Sequence, residues 1–106
     1  MQNIWLKIIK DLSYNPRDLH TVPKINKKPL WFYAYSDGNF IYIDNAKEHL
    51  PSSNISGIRK LSLSEFERMY PIHKRREQGE SVSKEAQKAS INQVYWYSIF
   101  EFCLNN

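Results

Sequence analysis

The chain has one cysteine, Cys103, so it cannot close an internal disulfide. That excludes the small cross-linked scaffolds of secreted proteins. Cys103 also sits within an apolar run, where a thiol behaves as a small hydrophobe, and this points to a reducing cytoplasm. No window of about 18 consecutive apolar residues occurs. The opening Met-Gln-Asn-Ile-Trp-Leu-Lys lacks the basic region and small-residue cleavage site of a secretory signal, so neither membrane insertion nor export is expected. Only three glycines and five prolines are present, with no long block of charge, which excludes a low-complexity or disordered chain. His20, His49 and His73 are widely separated, and none has a Cys or second His at ligand spacing. A structural zinc site is therefore not expected. There is no Gly-rich phosphate loop, nucleophile elbow or internal repeat, and no cofactor is expected.

What is present suits one domain: 106 residues hold a single hydrophobic core but not a second independent one. Apolar residues at 42% and charged residues at 25% are ordinary, but 14% aromatic is rich, and most of it is Tyr and Trp, which serve cores and interfaces alike. The net charge of +4 is uneven: Met1 to Arg76 holds 13 Lys/Arg against 7 Asp/Glu, whereas Glu77 to Asn106 holds 2 against 4. A basic first part raises the expectation of an anionic partner. Abundant Lys, Asn, Ile and Ser suggests an AT-rich coding sequence, bacterial or from a mobile element.

Local signals define the elements. Ile4, Trp5, Ile8, Ile9 and Leu12 follow one helical face, predicting a helix over residues 4–12 capped by Asn3. Ser-Tyr-Asn-Pro ends it, and an irregular basic connection is expected up to Pro29. Two β-prone runs then flank Asp37-Gly38, predicting a hairpin from Leu30 to Asp44 with a two-residue type I′ turn that pairs Tyr35 with Phe40 and Ala34 with Ile41. Alternation gives this hairpin two faces. One carries Leu30, Phe32, Ala34, Ile41 and Ile43; the other carries Trp31, Tyr33, Tyr35, Phe40 and Tyr42. Residues 45–50 suggest a helical turn, and Ile55 to Leu61 a third strand. Ser62 to Glu65 reads as a capping box for a helix to Met69, with Pro71 opening a second short helix to about Gln78. A further helix begins at Ser83. Ser90 and Gln93 form another capping box before the apolar run Ile91 to Leu104, read as a nearly buried helix with Ser98, Glu101 and Asn105 along its polar stripe.

These signals predict an α+β fold: a small antiparallel sheet, a hairpin plus a third strand, packed with an N-terminal helix and C-terminal helices. The terminal helix is expected across the hairpin, burying its aromatic face.

Three functional readings follow. The first is a non-enzymatic module that contacts DNA or RNA through Lys24, Lys27, Lys28, Arg59, Lys60, His73, Lys74, Arg75 and Arg76. Exposed Trp31, Tyr33, Tyr35, Phe40 and Tyr42 would then stack unpaired bases. A helix-turn-helix version uses Pro71 to Ala89 and points Lys84, Gln87, Lys88 and Asn92 at bases, but those segments hold few apolar residues for packing. The second reading is a protein-interaction or homodimeric adaptor subunit using the aromatic surface. The third is a small metal-independent ribonuclease in which His73 or Tyr70 moves protons while Arg75 and Arg76 stabilise phosphate charge. Proximity of the aromatic face to Arg75 and Arg76 discriminates the first from the second.

Overall fold

The central strands are where the β-branched and aromatic residues concentrate. The computed structural model describes residues 1–23 and 27–105. In it, Trp31–Ser36 (β2) pairs antiparallel with Ile41–Asn45 (β3), and the sheet is extended by Arg17–His20 (β1) beside β2 and Arg59–Leu61 (β4) beside β3. The result is a four-stranded antiparallel sheet in the order β1-β2-β3-β4. The helices are Gln2–Tyr14 (α1), Leu63–Glu77 (α2), Ser83–Ala89 (α3) and Gln93–Leu104 (α4). The fold is α+β, with one more strand than the sequence suggests.

That extra strand, β1, reads Arg-Asp-Leu-His and lacks the alternation of a strand; only Leu19 in it is buried. Its ends are fixed by polar contacts instead. Arg17 makes paired bonds of 3.0 and 3.1 Å to Asp11 on α1, and Ser98 Oγ donates to the His20 carbonyl at 2.6 Å. Ser98 is thus fully buried rather than part of a solvent-facing stripe.

The hairpin differs from its expected register by two residues. Tyr35 faces Tyr42 and Ala34 faces Ile43, with residues 37–40 forming the loop. A type I′ turn needs positive φ at both central residues, but only Gly38 adopts it, at +97°. Asp37 instead folds its carboxylate over the loop and accepts from the amides of Asn39 and Phe40, each at 2.9 Å. A two-residue shift preserves the faces, so the aliphatic and aromatic sets stay separate as expected.

Ile55 is buried but not in β4. Both its backbone groups bond the side-chain amide of Asn45, at 2.8 and 2.9 Å, which replaces a strand neighbour. Residues 45–50 form no helical turn.

Helix boundaries also shift. α1 begins at Gln2, with Met1 rather than Asn3 at the cap position. Pro71 does not divide α2, because the bond it cannot make lies on the helix's exposed side. The helix ends in a Schellman turn: Gly79, at φ +92°, donates to the Arg76 carbonyl and Glu80 to that of Arg75. Ser62 caps α2 by accepting from the Glu65 amide at 3.3 Å, but the Glu65 side chain does not reach back. It turns inward, accepts a short hydrogen bond from Ser90 Oγ and another at 3.2 Å from Asn92 Nδ2. Arg59 completes this chain by donating to Asn92 Oδ1 at 3.0 Å, tying β4, α2 and the entry to α4 together. Asn92, not Ser90, therefore precedes α4 at the cap position.

The helices all gather on the aliphatic face of the sheet. Leu19, Phe32, Ala34, Ile41, Ile43 and Leu61 share one core with Trp5, Ile8, Leu12, Phe66, Met69, Trp96, Ile99 and Phe100. Rings make much of it: Trp5 lies 5.4 Å from Phe66, and Trp96 is stacked on Phe100 at 5.5 Å. α4 packs against α1, α2, α3 and the β1 edge, and Tyr95 meets Phe32 edge-on at 4.9 Å. The terminal helix therefore covers the aliphatic face, not the aromatic one as expected. Among the described residues, no helix covers the outer face.

Candidate interaction surface

The outer face carries Trp31, Tyr33, Tyr35, Phe40 and Tyr42, all half-buried. They are neither sealed into a core nor bare. Tyr35 stacks on Tyr42 at 5.2 Å and 19°, and Tyr33 leans on Tyr35 at 5.5 Å. Lys60 sits 3.8 Å above the Phe40 ring and Lys47 4.8 Å above that of Tyr33. His49 stacks flat on Trp31 at 3.9 Å. Each ring thus has one of its flat sides already covered by another ring or a cation. The Tyr42 hydroxyl donates to Asp37 at 2.8 Å, which holds the tyrosine proton more tightly and raises its pKa.

Lys47 and His49 belong to a loop that the sequence does not mark as functional, and a single carboxylate holds it in place. Asp18, on the outer side of β1, accepts from the amides of Lys47, Glu48 and His49 at 2.9, 2.8 and 3.0 Å, and from the His49 ring at 2.9 Å. Solvent reaches only 2% of its side chain, although it lies beneath just this loop. Burial opposes its ionisation, but the converging donors outweigh that and hold its pKa below the usual carboxylate value. A space of about 500 Å³ lies between this loop and the strand ends, lined by Arg17, Asp18, Trp31, Tyr33 and Lys47.

The residues expected to form one basic surface are dispersed. Lys24 lies outside the described residues. Lys27 and Lys28 are exposed. Arg59 and Lys60 are neighbours in β4 and so point to opposite faces, Arg59 toward Asn92 and Tyr95 and Lys60 toward Phe40. His73, expected on the basic surface, is instead 5% exposed and packed 4.7 Å from Phe100, and burial pushes its pKa down against the pull of Glu77. Lys74 pairs with Glu77 at 3.1 Å. Arg75 is bidentate to Glu85, both bonds 2.7 Å, and donates to Glu80 at 2.6 Å, which leaves its charge locally balanced. Arg76 lies 3.9 Å over the Tyr97 ring and donates to the Val22 carbonyl at 3.4 Å.

Two smaller sets are likewise not assembled. Tyr70 and His73, the alternative proton carriers, are packed in a ring cluster with ring centroids 6.4 Å apart, while Arg75 is committed to carboxylates. Lys84, Gln87 and Lys88 are exposed on α3, but Asn92 is buried in the Glu65 network and cannot reach a base from there. Cys103 is also inside, where burial lifts its thiol to about 12 and keeps it protonated.

No family model, curated protein or solved structure matches this chain. The architecture and surface chemistry above are therefore what a functional reading rests on. Among the described residues, no helix is long and apolar enough to cross a membrane.

Proposed function

We propose that this is a non-enzymatic protein-interaction domain that associates with a second copy of itself through the outer face of its sheet. The observation that carries the reading is the aromatic face itself: Trp31, Tyr33, Tyr35, Phe40 and Tyr42 lie together, and among the described residues no helix lies over them. Tyr and Trp are enriched at protein interfaces because they bring large rigid contact area with a polar tip. Charge on this face is mixed, with Lys47 and Lys60 beside Asp37, Asp44 and Glu48, so two copies can meet without repulsion although the chain is basic overall.

Contact with nucleic acid is the weaker reading. Bases stack on open ring faces, and here Lys47, Lys60, His49 and the Tyr35–Tyr42 pair already occupy one side of each ring. Arg75 and Arg76 lie on α2, in the layer behind the sheet, so they do not border the aromatic face.

Sedimentation equilibrium across a concentration series tests the proposal. A reversible monomer–dimer equilibrium is expected, weakened at least about tenfold by Tyr35→Lys, which buries a charge in the interface. A strictly monomeric protein at high micromolar concentration removes self-association. Binding of a single-stranded oligonucleotide that falls steeply with salt and is lost in Lys47→Glu with Lys60→Glu restores the nucleic-acid reading in its place.

A further inference from the structure

Thr21 to Pro23 and Lys27 to Leu30, which lie between β1 and β2, border an apolar groove of about 280 Å³ together with α4. Its walls are Val22 and Leu30 from the connection and Val94 and Tyr97 from α4. Thr21 and Leu30 are tied together: Thr21 donates its amide to the Leu30 carbonyl at 2.9 Å and accepts the Leu30 amide on its hydroxyl at 3.0 Å. Arg76 closes one end, held over Tyr97 and bonded to Val22. Two wall residues remain in water, Leu30 at 41% and Val94 at 49% exposed, so the groove opens outward.

The lining has one sign of charge. Among the described residues, Lys27, Lys28 and Arg76 contribute to it and no Asp or Glu does. Among the described residues Lys27 and Lys28 make no ion pair. An apolar floor under a cationic rim matches a ligand that joins an apolar group to flanking negative charge. The volume is below the range of roughly 300–1,000 Å³ typical of cofactor and small-molecule pockets, and suits one or two inserted side chains.

We propose that this groove docks a short acidic segment of a partner protein, with a large aliphatic side chain seated between Leu30 and Val94 and its neighbouring carboxylates meeting Lys27 and Lys28. Other occupants fit less well. A nucleic acid needs a row of phosphate contacts and leaves the apolar floor unused. A second copy placed across a two-fold axis brings Lys27, Lys28 and Arg76 against their equivalents, which repel. This site is separate from the sheet face, so its failure and the failure of self-association are read by different measurements.

The test is fluorescence anisotropy with a short fluorescein-labelled peptide of glutamates and serines around a central pair of leucines. Saturable binding is expected, weakening with salt. Replacing the leucines by serine, or the glutamates by lysine, lowers affinity about tenfold or more, since each removes one half of the recognition. On the protein side, Val94→Ser and the double change Lys27→Glu with Lys28→Glu each weaken binding several-fold, with the melting temperature unchanged because all three residues are exposed. Backbone amide shifts in an NMR titration fall on Val22, Leu30, Val94 and Tyr97. Binding that survives loss of the leucines is charge attraction alone and overturns the proposal. So does an absence of saturation at millimolar protein, displacement of the peptide by oligothymidylate, or binding of phosphatidylserine vesicles in place of the peptide.

Discussion

On the inner face of the sheet Phe32, Ala34, Ile41, Ile43 and Leu61 have no contact with solvent, whereas on the outer face Trp31, Tyr33, Tyr35, Phe40 and Tyr42 keep part of their surface in water. The two sets alternate along the same strands, so backbone geometry does not distinguish them. The difference lies in what each side chain can do once dehydrated. An aliphatic group gains only by leaving water, and the helices packed on the inner face supply that. A tyrosine can dehydrate its ring against a neighbour or a lysine stem while its hydroxyl stays wet, so the outer face closes upon itself without an added element.

The largest expected effect sharpens this contrast. Phe32→Ala leaves a cavity facing Tyr95 and should cost about 3–5 kcal/mol in a urea titration. Tyr35→Ala removes only stacking on Tyr33 and Tyr42 and should cost about 1 kcal/mol or less. If the two losses prove equal, the outer face is a second core and its availability to a partner is lost as an argument.

Asp18→Asn comes next, because it acts where the outer face depends on the loop that carries Lys47 and His49. The substitution keeps an oxygen but loses the charge that gathers three amides and an imidazole, a loss of about 1–2 kcal/mol. The sign with pH follows from the depressed pKa. The native state holds Asp18 ionised where the unfolded chain begins to take up a proton, so its contribution is present above about pH 4 and fades as pH falls further. In the variant that acid-side loss should be shallower. An unchanged acid limb, measured by urea titrations between pH 2.5 and about 5, would show that the loop is held by its other contacts.

The elements that sequence pattern revealed are those in which one residue type repeats at one period. α1 and the β2–β3 hairpin were legible because burial on one face imposes the spacing, and the separation of the two hairpin faces survived even a two-residue change of register. β1 was hidden because its evidence is one leucine and a set of side-chain bonds to residues outside it, Asp11 on α1 and, far along the chain, Ser98 and residues 47–49. The same blindness to partners explains the site. Glu65 and Ser90 look like parts of capping boxes locally and Asn92 like a base contact, yet their polar atoms answer one another across the core. Lys74, Arg75 and Arg76 look like one basic cluster in sequence, but Glu77, Glu80, Glu85 and Tyr97 divide it. Lys47 and Lys60 carry no local pattern at all; only the folded sheet sets them over rings.

The smallest effect concerns the helical layer behind the inner face, where His73 is one of several buried polar side chains. Its ring is buried against Phe100 and Tyr97, and its Nδ1 finds no hydrogen-bond partner among the described residues. Burial lowers its pKa first; Glu77 and Glu101 oppose that, while Lys74 and Arg76 reinforce it. The unfolded chain therefore takes up a proton below about pH 6.5 where the native state resists it. Native stability should decline as pH falls through that range. His73→Phe removes the titrating group and fills the same ring cluster, so little change, within about 1 kcal/mol, is expected at pH 7.5. At pH 5.5 the variant should equal or exceed the parent, and its stability should be flatter between those values. If the slope persists in the variant, the pH response belongs to another group, and His73 carries no more consequence than the aromatic residues around it.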